Sequence, residues 1–399
     1  MAQDTAQAQY SPAGLGEDWS IIESLLPEHW QSQARELGAF RRARGIADAR
    51  ALLQVMLIHL AEGCGLRETA ARAGLAGLAQ VSDVALLKRL RSCGPWFEWL
   101  GQHLRQAPEL DTHAAPEPLL GTRRLRVVDG SVVHEPGPTG SQWRLHYAIG
   151  LPDLQCQEVH LGPCSQGETL KRFEVQPGDI FMADRGYAHP AGIAHVVRHG
   201  GDAIVRLNLV TLPLYAPPTQ DHQALRLDIL AHVRTLQAGQ AMCWSACVRP
   251  KAETAGQPRP AAVIGRLCAI RKSAVAAAKA RERVRRESQR GGSALQPQTL
   301  EAADYVFVFT TLPEQISAAQ VLELYRLRWQ IELEFKRLKS LIGLGHLKKH
   351  DAQAARSWLQ GKLLVALLVA RLIAHAERVS PWGYDICKIK GCARTVHMA

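Results

Sequence analysis

Apolar residues recur at helical spacing from about residue 27 to residue 107. The run ARALLQVMLIHLAEG is strongly apolar and ends at a glycine, and LRETAARAGL and QVSDVALLKRLRSCG follow it. This alternation of long apolar stripes and short Gly-containing turns predicts several consecutive helices. We therefore predict a helical domain over residues 26–115, preceded by a flexible tail at residues 1–25.

A short helix, a turn and a second helix within this domain resemble a helix-turn-helix. Ser82 is a good N-cap for the second helix, and the basic residues Lys88, Arg89 and Arg91 would give that helix a basic end. The pattern favours a helix-turn-helix-like DNA-binding domain, with an ordinary helical bundle as the alternative.

The pattern changes after PEPLLG at residues 116–121. Five strand-like segments follow, namely RLRVVDGSVV (124–133), WRLHYAIGL (143–151), CQEVHLG (156–162), GDIFMAD (178–184) and DAIVRLN (202–208). Helix-like segments, GETLKRF and HPAGIAHVVRHG, separate the later strands. Early strands followed by strands that alternate with helices predict an α/β fold with a mixed sheet over residues 116–380.

An insertion of different character is predicted at about residues 209–303. It contains the strand-like pieces AMCWSACV and AAVIGRLCAI, and then a basic run in which residues 271–290 hold eight Lys or Arg against two Glu. Such a run is typical of a solvated or disordered segment, but it also suits an arm that contacts phosphates. The strand-like YVFVFTTL (305–312) follows the insertion.

The segment YRLRWQIELEFKRLKS, residues 325–340, has neither Gly nor Pro and is predicted to be one helix. On a helix, Tyr325, Arg328, Glu332 and Lys339 share one narrow stripe beside an apolar one. Glu323 and Glu334 fall on the opposite, solvent-facing side. Glu332 could therefore point towards a packed sheet, or it could form a simple salt bridge to Arg328 or Lys336.

Two aspartates stand in or at the ends of apolar strands. Asp129 interrupts RLRVV and SVV, and Asp184 follows IFMA. Each could be the cap of a turn, but a sheet brings strand ends together, so both could meet Glu332. Three converging carboxylates repel one another unless cations neutralise them. Hard divalent cations such as Mg²⁺ do so, and a pair of them can promote phosphodiester cleavage.

Composition and charge favour an intracellular protein with an acidic partner. The chain of 399 residues is 47% hydrophobic and carries a formal net charge of +11, and nucleic acid is the commonest acidic partner. The nine cysteines lack zinc-finger spacing and are interpreted as reduced thiols, and no signal peptide is visible. The apolar run LLVALLVA, residues 363–370, is too short to span a bilayer and is predicted to be a buried helix.

The stripe residues also form a motif, Y-x₂-R-x₃-E-x₆-K, at Tyr325, Arg328, Glu332 and Lys339. Together with DGS at 129–131 and ADRGY at 183–187, it resembles the signature of bacterial DDE transposases of the insertion sequence 4 family. The resemblance covers roughly residues 60–380. It implies a ribonuclease H-like catalytic fold with a β-rich insertion.

The resemblance also implies roles for individual residues. Asp129, Asp184 and Glu332 would be catalytic and would bind two Mg²⁺ ions, for which Mn²⁺ is an expected substitute. Tyr325, Arg328 and Lys339 would contact DNA phosphates. Trp244 could stack on a flipped base, as a Trp does in some relatives, but a core position is the preferred interpretation.

The implied activity is cut-and-paste transposition in the bacterial cytoplasm. The partners would be double-stranded DNA, at the terminal inverted repeats and at the target, and a second copy of the chain in a synaptic dimer. The atypical tail at residues 381–399 is interpreted as a frameshifted or decayed end, which puts C-terminal dimer contacts in doubt. The alternatives are another ribonuclease H-like nuclease and a non-catalytic or decayed DNA-binding protein.

Overall fold

A computed structural model of the protein describes residues 14–106, 119–134, 142–218, 225–252, 258–292, 294–345, 347 and 351–379. The chain divides into two compact units. The first, here called the helical unit, draws on residues 1–113, 133–143 and 336–399. The second, the sheet unit, draws on residues 114–132 and 144–335. The atypical tail predicted at residues 381–399 lies outside the described residues.

Helices begin earlier than the sequence pattern suggests. Those of the amino-terminal part are α1 (Gly14–Leu25), α2 (Trp30–Glu36), α3 (Ala49–Ala61), α4 (Leu66–Leu75) and α5 (Asp83–Gln106). The prediction of a flexible tail over residues 1–25 is therefore wrong for residues 14–25. Trp19 explains the difference, because this buried side chain anchors α1 to the core of the helical unit.

Capping residues define the helix starts that the sequence signals. Asp48 caps α3 by accepting a hydrogen bond from the backbone N–H of Ala51. Ser82 caps α5 in the same way, through the N–H of Ala85 at 3.2 Å. The N-cap role predicted for Ser82 is thus confirmed.

The last described helix, α12 (Ala352–Val379), packs against α5 and α3 within the helical unit. Glycines allow a close approach, because a Cβ on Gly94 would lie 2.6 Å from Ser357 Oγ. The 25 residues Ala352–Ala376 are long and apolar enough to cross a membrane. Their apolar face, including Leu359 and Leu364, is buried in the helical unit, so the prediction of a buried helix is confirmed although the run is longer than eight residues.

The sheet unit is built on one eight-stranded mixed sheet with the order β3-β2-β1-β4-β5-β8-β7-β6. Its first strands are β1 (Arg124–His134), β2 (Gln142–Leu151), β3 (Cys156–Pro163), β4 (Asp179–Ala183) and β5 (Asp202–Arg206). β1, β4 and β5 run parallel, and the helix α6 (Pro190–Arg198) connects β4 to β5. All five predicted strands and the mixed α/β sheet are confirmed.

The insertion extends this sheet. Its elements are α7 (Ile229–Val233), β6 (Ala241–Val248), β7 (Val263–Arg271), α8 (Ala274–Gly291) and α9 (Pro297–Ala302), followed by β8 (Tyr305–Thr310). β8 lies antiparallel to β5, and β7 and β6 continue the same sheet beyond it. Trp244 on β6 packs against the core, as preferred from the sequence.

The basic run of the insertion is an ordered helix. Ser273 caps α8 by accepting from the N–H of Ala276, and the helix ends at Gly292 in the left-handed conformation. Most of its side chains are exposed, and Ala277 faces the protein. A disordered segment is therefore excluded, whereas a solvated helix and a phosphate-contacting one both remain compatible with the structure.

The predicted single helix over residues 325–340 is wrong. The chain forms α10 (Ala318–Arg326) and α11 (Trp329–Ser340), with Leu327 and Arg328 in a turn between them. In this turn the N–H groups of Leu327 and Arg328 bond three residues back, to Leu324 and Tyr325. The apolar stripe is nonetheless real, since Leu324, Ile331, Phe335 and Leu338 are all buried.

Candidate active site and nucleic-acid surfaces

Asp129 and Asp184 stand side by side on neighbouring parallel strands. β1 and β4 pair Val128 with Ala183, so the next position on each strand is an aspartate. In-register neighbours on parallel strands direct their side chains to the same face. The structure therefore brings together two acids that are 55 residues apart in sequence (184 − 129).

Each aspartate also shapes the turn that follows it. Asp129 Oδ1 accepts from the N–H of Gly130 at 2.7 Å, and Asp184 Oδ1 accepts from the N–H of Gly186 at 2.6 Å. The interpretation of Asp184 as a cap is thus correct, because this bond starts the 3-10 turn Arg185–Tyr187. These bonds use one oxygen of each carboxylate, and a cap and a site residue are compatible roles.

The environment of Asp129 opposes its negative charge. Burial raises the pKa of Asp129 to about 7, and the nearby carboxylates of Asp184 and Glu168 act in the same direction. The Gly130 N–H and the Arg328 guanidinium oppose this shift only in part. An added cation is the direct way to keep all these acids ionised.

Arg328 links the helical glutamate to the first aspartate. Its guanidinium hydrogen-bonds the Glu332 carboxylate and lies 3.6 Å from Asp129 Oδ2. The salt bridge considered for Glu332 is therefore present, yet it places Glu332 near Asp129. The Glu332 side chain is 51% exposed, so it can rotate away from Arg328.

Tyr325 is buried with its hydroxyl unsatisfied. Its side chain is 9% exposed, and the hydroxyl has no hydrogen-bond partner among the described residues. Burial raises its pKa, and the charges of Arg328, Arg206, Asp184 and Arg185 all act on it, so the ring lies within the site. A buried hydroxyl without a partner is costly, and a bound phosphate would satisfy it.

Lys339 belongs to a different unit from the other three motif residues. It lies in the last turn of α11 and belongs to the helical unit, where its aliphatic stem packs beside Gly345. Its predicted role in DNA binding stays a prediction.

The site contains two further residues, Arg206 and Glu168, that sequence reasoning missed. β4 and β5 pair Ala183 with Val205, so Arg206 occupies the register position beside Asp184. Glu168, from the loop after β3, acts electrostatically on both aspartates and lies 3.4 Å from Arg144 Nη1. A basic residue ending the third parallel strand could have signalled Arg206, whereas nothing in the pattern indicated Glu168.

The residues present suit a hard divalent cation. Among the described positions, no three His, Cys, Asp or Glu side chains stand close enough to hold a metal as they are placed. However, Arg328 now neutralises Asp129 and Glu332, and the aspartates offer only oxygen donors in a site that disfavours uncompensated negative charge. The donor set fits Mg²⁺-like ions and gives no thiolate or imidazole for softer metals.

A basic concavity lies on the helical unit. A cavity of about 440 Å³ is lined by Gly38, Arg41, Lys88, Arg89, Arg91, Ser92 and Gln353. Arg89 donates to the carbonyl of Arg42, and Arg91 pairs with Asp351, whereas Lys88 is exposed. The predicted basic end is wrong in position, because α5 continues to Gln106 and these residues lie in its first half. Arg89 and Arg91 also form contacts within the helical unit.

The seven cysteines in the part of the chain that the structure describes are free thiols. Four of them, Cys64, Cys93, Cys247 and Cys268, are buried. This agrees with the interpretation of the cysteines as reduced.

The mixed sheet, the amino-terminal helical region and the pair of strand-borne aspartates beside a helical glutamate are consistent with a DDE nuclease fold. Comparison with known families matches residues 164–368 to the transposase DDE domain, a range that includes Asp184 and Glu332. The chain belongs to the DDE transposase family. It is thus a DNA-cleaving and strand-transferring enzyme that depends on a divalent metal.

Relatives of known description support this membership over most of the chain. The putative transposase InsL of insertion sequence element IS186A of Escherichia coli K12 is 36% identical over 362 residues, covering 90% of this chain and 94% of the relative. The transposase of insertion sequence element IS421 of Escherichia coli is 36% identical over 363 residues, with the same coverage. The transposase of IS231F of Bacillus thuringiensis subsp. israelensis is 25% identical over 206 residues, covering 49% of this chain and 41% of the relative.

Proposed function

We propose that this protein is the transposase of an insertion sequence and moves it by cut-and-paste, using Asp129, Asp184 and Glu332 as its catalytic acids. The observation that carries the assignment is the side-by-side placement of Asp129 and Asp184, with Glu332 tied to Asp129 through Arg328. Family membership gives the reaction class, and this geometry supports the choice of residues.

The acids would hold the divalent cation through their carboxylate oxygens. When bound, the cation supplies activation of a water or 3′-hydroxyl and stabilises the leaving oxygen of the phosphodiester. Glu332 would complete the set when Arg328 releases it to contact a DNA phosphate. We propose Mg²⁺, with Mn²⁺ as a substitute, because the donors are all hard oxygens, and two ions because the motif resembles that of the DDE transposases.

Basic and polar groups of the chain would orient the scissile strand. Arg328 and Arg206 flank the acids, and the unsatisfied Tyr325 hydroxyl is positioned to donate to a phosphate oxygen. Guanidinium groups bind phosphate in a bidentate fashion, which fixes direction as well as position. Lys339 is proposed as a further phosphate contact on the motif alone.

Two surfaces are proposed to hold DNA away from the cut. α8 presents a row of exposed Arg residues, and one of its residues, Glu287, acts electrostatically on Arg185 beside Asp184, so the helix passes near the site. The basic concavity at Lys88 on the helical unit is the second surface. Both would add sequence-independent, salt-dependent affinity.

Finer assignments follow from the motif and the fold together. We propose membership of the insertion sequence 4 group and a ribonuclease H-like catalytic fold. The three parallel strands β1, β4 and β5, with Asp129 within β1 and Asp184 directly after β4, support this proposal. We also propose a dimer that pairs two transposon ends, and action in the bacterial cytoplasm, where the DNA substrate lies.

The test separates DNA binding from cleavage. Asp129→Asn and Glu332→Gln each remove one charge while keeping the shape of the side chain. Both are expected to abolish cleavage of a duplex that carries the element's terminal repeat, while gel-shift binding of the same duplex stays within about threefold of wild type, because phosphate contacts dominate affinity. Glu323→Gln, on the exposed side of α10, is the matched control and should cleave normally.

The two measurements also sort the alternatives. A chain that binds the duplex equally well in Mg²⁺ and EDTA, and never cuts it, would be a non-catalytic or decayed DNA-binding protein. Normal cleavage by Asp129→Asn or Glu332→Gln would show that the site has been assigned to the wrong acids.

A further inference from the structure

The glycines that follow the two catalytic aspartates surround one further carboxylate. A Cβ on Gly130 would lie 2.8 Å from Glu168 Oε1, and a Cβ on Gly186 would overlap Glu168 Oε2. Neither glycine has a positive φ, so backbone conformation does not require glycine at these positions. Glycine is required because of space: the Glu168 carboxylate occupies the place that a larger residue's side chain would take.

This arrangement sets Glu168 among the acids. Glu168 Oε2 and Asp184 Oδ1 both lie within 3.3 Å of the point where a Cβ on Gly186 would stand. On its other side, Glu168 Oε1 approaches Gly130, directly after Asp129. One carboxylate thus reaches the backbone behind both aspartates, which stand side by side on β1 and β4.

Glu168 has another acid as a close neighbour on one side and a single arginine partner on the other. Its ion-pair partner is Arg144, at 3.4 Å from Oε1, and Oε2 faces Gly186 and Asp184. A structural ion pair alone would not require the carboxylate to sit between two other acids, where repulsion destabilises the metal-free protein. Tyr325, whose buried hydroxyl has no partner among the described residues, has Asp184 among its charged neighbours, which independently indicates that the space beside Asp184 is shaped for a ligand.

We propose that Glu168 is a fourth acidic residue of the catalytic cation site, acting with Asp129 and Asp184 on the divalent ion or on its water ligands. The inference rests on the proposed function, since it adds a residue to the same site. It also explains the glycines of the DGS and DRGY segments physically: they leave room for a carboxylate supplied by a separate loop.

The test measures metal binding by the full-length protein without DNA. Free Mn²⁺ is titrated by electron paramagnetic resonance for wild type, Glu168→Gln, Asp184→Asn and Glu174→Gln. Glu174 is exposed, six residues further on, and serves as the matched control. Glu168→Gln is expected to weaken Mn²⁺ binding about tenfold or more, as loss of a supporting acid at a metal site does, while Glu174→Gln binds like wild type.

Thermal unfolding distinguishes a cation-site acid from a structural ion pair. Without metal, Glu168→Gln should be as stable as wild type or more stable, because one repelling charge is removed, but Mn²⁺ should stabilise it less. A lower melting temperature without metal, together with unchanged Mn²⁺ binding, would show that Glu168 only holds Arg144 in place.

A glycine variant tests the geometry separately. All three atoms nearest to a Cβ on Gly130 belong to Glu168, so Gly130→Ala should displace this flexible side chain and weaken Mn²⁺ binding. In a Glu168→Ala background the same change should have no further effect on binding. Additive losses in the double variant would contradict the proposed approach of Glu168 to Gly130.

The outcomes keep the two proposals apart. If Glu168→Gln binds Mn²⁺ like wild type while Asp184→Asn does not, the inference about Glu168 is wrong and the proposed function stands. If wild type itself binds no Mn²⁺ at millimolar concentration and also fails to cleave its terminal repeat, the proposed function fails with it.

Discussion

Single residues carry the case that this site is prepared for a charged ligand. Asp129 has a pKa raised to about 7, Tyr325 has a buried hydroxyl without a partner, and Arg328 joins Glu332 to Asp129. Each feature disfavours the free protein slightly. Such local costs are usual where binding groups are held ready for a substrate.

Replacing Tyr325 by Phe should separate stability from activity. The change removes a hydroxyl that is buried without a partner, so the free energy of unfolding should rise by about 1 kcal/mol or stay unchanged. Cleavage should fall, because the hydroxyl can no longer donate to a phosphate oxygen. Chemical denaturation and a terminal-repeat cleavage assay measure the two effects.

Tyr305→Phe is the control for this prediction. Tyr305 is a buried tyrosine of β8 whose hydroxyl is not among the unsatisfied buried groups. Its replacement should leave cleavage unchanged. If Tyr325→Phe cleaved like wild type, the hydroxyl would have no role in holding DNA.

His146 should make stability depend on pH. This fully buried side chain hydrogen-bonds the Tyr187 hydroxyl, and burial, with the charges of Arg172, Arg144 and His160, lowers its pKa to about 4. Between the folded-state pKa and the ordinary histidine pKa near 6.5, His146 binds a proton in the unfolded chain but not in the folded chain. Stability is therefore lost as pH falls below about 6.5, by about 2 kcal/mol between pH 7 and pH 5.

The measurement is the free energy of unfolding at pH 7 and pH 5 for wild type and His146→Asn. The stability difference between the two proteins should shrink by about 2 kcal/mol at the lower pH, whatever the variant costs at pH 7. His199→Asn, at an exposed histidine, should not change the pH dependence. An equal difference at both pH values would mean that the pKa of His146 is not lowered in the folded state.

The arrangement of strands and loops explains why the two aspartates could be predicted from the sequence and why their neighbours in the site could not. Asp129 and Asp184 could be found because each directly follows an apolar run of strand residues, and β1 and β4 pair in parallel up to the positions before them. Glu168 could not, since it lies in the loop after β3, a strand that is separated from β4 in the sheet by β2 and β1. Arg206 had only a weak signal, since its place beside Asp184 depends on the register between β4 and β5. Long-range register decides such contacts, and local periodicity does not report it.

The turn between α10 and α11 shows the same limit. Leu327 and Arg328 are not helix-breaking residues, so the pattern predicts a continuous helix there. In the structure, the backbone N–H groups of Leu327 and Arg328 instead bond to carbonyls three residues earlier, as in a 3-10 turn. Arg328 in this turn contacts both Asp129 and Glu332. Packing at the site outweighs intrinsic helix propensity over these two residues.

Helix α8 gives a prediction at the scale of an element. Changing Arg283, Arg285 and Arg286 together to Gln removes three exposed charges from one ordered helix. If these residues contact phosphates, the slope of log K against log salt concentration for DNA binding should become shallower by up to about 0.9 for each phosphate that is no longer neutralised. Fluorescence anisotropy at several salt concentrations measures the slope.

Two of these arginines also form helical ion pairs, Arg283 with Glu287 and Arg286 with Glu282. Exposed pairs of this kind contribute little to stability, so the variant should fold. Arg198→Gln, in the last turn of α6, is the control for loss of an exposed charge elsewhere. An unchanged slope in the triple variant would make α8 a solvated helix with no part in binding.

At the scale of the whole molecule, the basic net charge and the local cluster of acids both suit an enzyme that acts on DNA. The net charge of +11 attracts DNA, whereas the acids collect where the parallel pairing of the central strands β1 and β4 ends, with Asp129 near Asp184 and Glu168. A basic protein with a buried acidic site suits an enzyme that must attract a polyanion and still bind a divalent cation at the point of cleavage.

DNA cleavage itself gives the most direct test of the proposed function. Wild-type protein is incubated with an end-labelled duplex that spans its own terminal repeat and flanking DNA, in Mg²⁺, in Mn²⁺ and in EDTA, and the products are mapped to the nucleotide. We predict cleavage at the repeat boundary with either metal and none in EDTA. Cleavage that persists in EDTA, or cuts scattered without regard to the repeat, would contradict the assignment of a metal-dependent transposase.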